Sequence, residues 1–213
     1  MRLLRKLFEI HSPSGHEQTL KKFIHRHIRK NVGGCKVWFD KKGNMYIKKG
    51  EAASYPCIVA HLDQVQQSHP KDFMTVQCED IIFGYSPKER DFKGLGADDK
   101  VGIWIALQCL EKYDAIKLAF FVEEETGCLG SENADMSFFD DARFVVQCDR
   151  RGNSDMITTI GWTDLCSSAF IKAIEPQAFG YRKQTGMMTD VEALKERGLS
   201  VSCINLSCGY YRP

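Results

Sequence analysis

The sequence lacks a run of apolar residues approaching the ~18 needed to cross a bilayer, and it has no CxxC pair and no excess of charge of one sign. Each absence excludes a class. Without a long apolar run, no membrane span is expected. With 29 Lys+Arg against 28 Asp+Glu, the net charge of +1 lacks the electrostatic footprint of a nucleic-acid binder. The nine cysteines are odd in number and scattered, and Cys57, Cys109 and Cys148 sit inside apolar runs. They read as buried thiols in a reducing compartment, not as a disulfide frame. Internal repeats, low-complexity tracts and linkers rich in Pro or Gly are missing too. Met1–Ile10 carries Arg2, Arg5, Lys6 and Glu9, so it lacks the unbroken apolar core of a signal peptide. The cytoplasm is the expected location.

What is present is ordinary soluble composition, 43% hydrophobic and 27% charged over 213 residues. A chain of that size buries roughly 70% of its unfolded surface. Leu3, Leu4, Leu7 and Phe8 recur at helical spacing, which predicts a helix over 2–10. Ser14 and Glu17 predict a capping box. The next helix buries Leu20, Phe23, Ile24, His27 and Ile28 and stops at Gly33-Gly34. A hairpin is expected from Val37–Asp40 and Met45–Lys48, and weak strands near 74–78 and 81–85. Apolar runs at Cys57–Ala60, Leu118–Val122, Phe144–Cys148 and Ser200–Leu206 read as buried strands. A very apolar helix is expected from about Lys100 to Tyr113. Helices alternate with apolar strands, so the predicted fold is α/β with a largely parallel central sheet.

Three of these strands end in metal-ligating residues: His61 with Asp63, the run Glu123–Glu125, and Asp149. Asp98-Asp99 sits where a glycine-rich loop enters a helix. Ligands in open α/β sheets gather at the carboxyl ends of strands. Acidic groups packed together there repel unless a cation joins them. Imidazole with carboxylates suits zinc, and cobalt or manganese are alternatives. Residues i and i+2 of a strand share a face, so Asp63 can accept the second N–H of His61. Of two adjacent glutamates, one can bind metal while its neighbour takes a proton from water. Each element has a plainer reading alone: Asp98 as a helix cap, the glutamate run as solvated charge, Asp149 with Arg150 as a surface ion pair. Order, placement and residue types together favour a metal site.

The motifs His61-Leu62-Asp63, Gly96-Ala97-Asp98-Asp99-Lys100-Val101-Gly102, Glu124-Glu125-Thr126-Gly127 and Asp149 resemble, in this order, the co-catalytic zinc exopeptidases, which include peptidase T-like tripeptidases and glutamyl aminopeptidase-like enzymes. Asn205-Leu206-Ser207-Cys208-Gly209-Tyr210-Tyr211 is similar to the segment before that family's last ligand. The resemblance spans about Leu7 to Pro213. It implies a three-layer sandwich, a central mostly parallel mixed sheet flanked by helices. It implies two zinc ions, with His61, Asp98 and Asp149 on the first and Asp98 and Glu125 on the second. Glu124 is then the general base and Asp63 the supporting carboxylate, and Thr126-Gly127 selects Glu124 and Glu125 over Glu123. The peptide bond after Asp98 is expected to be cis.

Two departures bear on what the resemblance implies. The family's sixth ligand, a histidine after the Gly-Tyr-Tyr-like segment, is absent from 1–213, and His69 is a weak substitute. The second metal is therefore expected to be incomplete and the C-terminal end truncated. Only about forty residues separate Asp149 from Asp190, so one catalytic domain over 1–213 is expected, without an inserted lid or dimerisation domain. Thr189-Asp190 reads as a helix cap, and as a site pair by resemblance to some relatives. Trp162, Tyr210 and Tyr211 read as core, or as pocket lining. The implied activity is hydrolysis of short peptides, with no nucleic-acid or membrane partner and with homo-oligomers open. An N-acyl amino acid deacylase, and a metal-binding protein with impaired turnover, are the alternatives.

Overall fold

The structure is a computed structural model that describes residues 1–211. In chain order it runs α1 (Arg2–Phe8), α2 (Gln18–Asn31), β1 (Cys35–Phe39), β2 (Met45–Lys49), β3 (Tyr55–His61), β4 (Met74–Cys78), β5 (Ile81–Ser86), β6 (Asp91–Lys93), α3 (Ala97–Lys112) and β7 (Ile116–Phe121). It continues with α4 (Leu129–Glu132), β8 (Ala142–Arg150), β9 (Asp155–Ile160), β10 (Thr163–Asp164), α5 (Ser168–Ile174), β11 (Arg182–Gly186), α6 (Asp190–Glu196) and β12 (Cys203–Ser207).

Nine strands form the central sheet in the order β1-β2-β7-β3-β8-β12-β9-β10, with β11 paired to β9. Its centre is parallel: β3 pairs with β7 and β8, and β12 with β8. Antiparallel strands flank it on both sides, β2 against β7 and β9 against β12. The strands of the centre alternate between two cores, as the period of two requires. Ile58, Ala60, Leu118 and Phe120 pack with Leu20, Ile24 and Ile28 of α2 and Ile103, Leu107 and Leu110 of α3. Cys57, Val59, Ala119 and Phe121 pack on the other face with Phe138, Phe139, Val191 and Leu194. The fold is therefore the three-layer α/β sandwich expected from the sequence. Strands β4, β5 and β6 form a separate three-stranded sheet.

Several local expectations are corrected. There is no capping box. Helix α2 begins at Gln18, with Glu17 in the N-cap position and no side-chain cap, so Ser14 stands outside the helix, and its hydroxyl donates to Asp63 Oδ2 at 2.7 Å. Trp162, read as core, is fully exposed, and Tyr211 is mostly exposed, while Tyr210 is buried. Strand β11 is not expected from the sequence, being polar and mostly exposed, with no alternation. The nine cysteines are all free. No helix among the described residues is long and apolar enough to cross a membrane.

Phe120 tests the packing. It is wholly buried in the core that α2 and α3 cover. Phe120→Ala is expected to lower the unfolding free energy by about 3–5 kcal/mol, read as a lower urea midpoint.

Candidate metal centre

Because β3, β7 and β8 are parallel neighbours, their carboxyl ends lie side by side. His61 is the last residue of β3, Asp149 the last but one of β8, and Glu124 and Glu125 follow β7. Asp98 belongs to the first turn of α3 but is not helical there, at φ −80° and ψ 106°. The N-cap position of α3 is Gly96, and the Asp98 carboxylate turns to His61 and Tyr210 and not to the helix end, so Asp98 is no helix cap. The Asp98-Asp99 peptide bond is cis.

These side chains meet. His61 Nε2 lies 2.9 Å from Asp98 Oδ1, 3.6 Å from Asp149 Oδ1 and 4.0 Å from Glu124 Oε2. Two overlapping groups of ligand atoms result, His61 with Asp98 and Asp149, and His61 with Glu124 and Glu125. Within each, the ligand atoms lie within 4.8 Å of one another. On the far side of the ring, Nδ1 faces Asp63 Oδ1 at 3.4 Å. Asp63 also accepts the backbone N–H of Glu124 at 2.9 Å and of Glu125 at 3.1 Å. The glutamate loop turns through Glu123, whose φ of 53° is left-handed. Glu123 pairs with Lys42, so Glu124 and Glu125 are the two that reach the cluster.

The cluster is crowded with buried negative charge. Burial pushes the Glu124 and Glu125 carboxyls up to about 7, with Asp98 adding to the effect on each and His61 opposing it. Asp149 is pushed well above the carboxylate range by burial and by the charge of Asp98. Burial alone would lower His61, but Glu124 and Asp149 more than reverse this and hold it well above an ordinary imidazole. For Asp98 the cost of burial is outweighed by the His61 hydrogen bond and charge, which bring it down to about 2. One imidazole serves several carboxylates. Two polar atoms of the cluster, Glu125 Oε1 and His61 Nδ1, are buried without a hydrogen-bond partner. A divalent cation fits this donor set, since it supplies the missing positive charge and a partner for the Glu125 oxygen, while His61 Nδ1 is turned to Asp63 on the other side of the ring.

Other residues surround these five. Tyr210, read chiefly as core, donates its hydroxyl to Asp98 Oδ2 at 2.9 Å. Asp149 has no ion pair with Arg150, which instead lies 3.6 Å from Asp155. Its backbone N–H donates to Asn205 Oδ1 at 3.0 Å, and its Oδ2 accepts from Gln147 at 3.0 Å. Asp190 opens α6 but does not cap it. Its fully buried carboxylate accepts from Ser131 at 2.6 Å and from Gln147 at 3.3 Å. No sequence signal marked Gln147 or Ser131. His69 lies apart from the cluster, stacked between His11 and Phe73.

No family model matches the chain, and no curated protein matches its sequence. Solved structures do. An aminopeptidase of the archaeon Desulfurococcus kamchatkensis superposes with a TM-score of 0.67 at 18% identity, over 97% of this chain and 85% of its own. A peptidase of Pyrococcus horikoshii, which can assemble into a tetrahedron or a large octahedral shell, gives 0.63 at 16% identity, over 97% and 89%. A tripeptidase of Staphylococcus aureus gives 0.63 at 19% identity, over 75% of this chain. The match spans 45% of that tripeptidase's length. Likeness at such identities speaks to the architecture, and the chain has the fold of these peptidases, the one its motifs led us to expect.

Proposed function

We propose that the chain is a metal-dependent peptidase that cleaves short peptides, of the aminopeptidase or tripeptidase kind. The observation that carries this reading is the convergence of His61, Asp98, Glu124, Glu125 and Asp149 at the carboxyl edge of the sheet, with a buried oxygen of Glu125 left unpartnered. In this reading His61, Asp98 and Asp149 hold one ion, and Asp98 and Glu125 hold a second. Zinc suits the donors, and cobalt or manganese are acceptable in its place. When bound, the metal polarises the scissile carbonyl and lowers the pKa of the attacking water. Glu124 takes the proton from that water as it adds to the carbonyl carbon. The same carboxyl then returns the proton to the leaving amine as the C–N bond breaks. Asp63 fixes both the His61 ring and, through the two backbone N–H groups, the loop that carries Glu124. The two full-length structural matches and the tripeptidase support peptide substrates, and the shell-forming peptidase supports self-assembly of this chain too.

Glu124→Gln is expected to cut turnover of tripeptides and amino-acid amides by at least about 100-fold while leaving metal content unchanged. Full activity in that variant would remove Glu124 from the role of base. Asp98→Ala should instead release metal, seen as a fall in bound zinc by elemental analysis.

Chelation should abolish hydrolysis, and added zinc, cobalt or manganese should restore it. Cleavage of N-acyl amino acids in preference to peptides would make the protein a deacylase. Stoichiometric metal without turnover of either substrate would make it a binding protein.

A further inference from the structure

The polar residues behind Asp149 form a buried network that the proposed chemistry does not use. From it we infer that Gln147 and Thr189 are positioning residues, which hold Asp149 so that only one of its oxygens is offered to a metal. The inference rests on the metal-centre reading above.

Gln147 lies two residues before Asp149 on the same face of β8 and is wholly buried. Its Nε2 donates to Asp149 Oδ2 at 3.0 Å and to Asp190 Oδ2 at 3.3 Å. Its Oε1 accepts the Thr189 hydroxyl at 2.9 Å and the Val191 N–H at 3.2 Å. The amide thus uses two donors and two acceptors, its full capacity. It cannot turn over, since a flipped Oε1 would face two carboxylates.

Thr189 lies 3.3 Å from Asp149 Oδ2 as well, and its hydroxyl oxygen accepts from Asn205 Nδ2 at 3.3 Å. Asn205 in turn grips the Asp149 main chain, accepting its N–H at 3.0 Å and donating to its C=O at 3.2 Å. Main chain and Oδ2 are both fixed. Oδ1 is the oxygen left facing His61 Nε2, at 3.6 Å.

A network that served only to join β8, β12 and α6 would explain the same bonds. The two roles part in what they do to metal affinity. Support of this kind around a metal ligand is typically worth 10–100-fold in affinity.

The test is a cobalt(II) titration of the metal-free protein, followed by visible absorption against a competing chelator, with thermal unfolding of the same metal-free samples. Thr189→Val keeps the shape and removes the hydroxyl. It should weaken the first cobalt site about 10–100-fold with little change in Tm, and Thr189→Ser should restore affinity. Gln147→Met provides a second route to the same loss. The double variant should lose less than the two single losses combined, because the residues share one bond. Unchanged cobalt affinity in both single variants, with wild-type protein binding normally, overturns the positioning role alone. So does a loss confined to Tm. A wild-type chain that binds no cobalt, zinc or manganese overturns the metal-centre reading, and this inference with it.

Discussion

Asp63 is the carboxylate on which the geometry of the centre depends. It is buried, it follows β3 by two residues, and it collects three hydrogen bonds from two other segments, the Ser14 hydroxyl and the Glu124 and Glu125 N–H groups. Its remaining direction is toward His61. The ring is therefore backed, and the glutamate loop is tethered, by the same group. Those bonds, with the His61 ring, hold its pKa below the ordinary value although burial works the other way. A charge so well solvated by donors is tolerable in the interior, and it can serve as the fixed point against which less satisfied groups are arranged.

Those less satisfied groups are the other carboxylates. Packing Asp98, Glu124, Glu125 and Asp149 around one imidazole costs free energy in desolvation and in mutual repulsion. The scaffold is large enough to hold them there: two apolar cores on opposite faces of one sheet, with nearly every side chain of β3 and β7 buried. Stability is generated along the length of the strands and used at their ends. This division is common where a rigid element presents chemistry.

How far the centre is legible in the sequence follows from the same geometry. His61, Asp98, Glu124, Glu125 and Asp149 stand at the ends of apolar runs or at a glycine-rich turn, where a change of residue type is visible along the chain. The buried strands β3 and β7 announce themselves as apolar runs, and β8 as a shorter one broken by Gln147. Gln147 lies inside a strand, where a single polar residue in an apolar run carries no label, and Asn205 is marked only by the resemblance of the segment it opens. Gln147 meets Thr189 from 42 residues away, and Asn205 meets Asp149 from 56. Ser14 shows the opposite error. Its spacing from Glu17 satisfies a local rule, but the helix starts only at Gln18, and the Ser14 hydroxyl is left to donate to Asp63. Strand β11 lies at the sheet's edge and exposed Trp162 in the turn between β9 and β10, where neither periodicity nor burial constrains the residues.

The Asp98-Asp99 pair shows why a short motif can be so demanding. The two carboxylates go to different places. Asp98 faces His61, whereas Asp99 turns inward and is fully buried. Asp99 Oδ2 accepts the His61 N–H at 3.2 Å, and Oδ1 accepts the Gly102 N–H at 3.0 Å. Asp99 thus joins the start of α3 to the end of β3, which fixes Asp98 relative to the His61 ring. The arrangement requires the backbone of residue 102 to come close. A Cβ there would lie 2.2 Å from Asp99 Oδ1, so only glycine fits. The spacing Asp98-Asp99-Lys100-Val101-Gly102 is thus set at both ends, by the group that faces the centre and by the missing side chain that lets its neighbour anchor it.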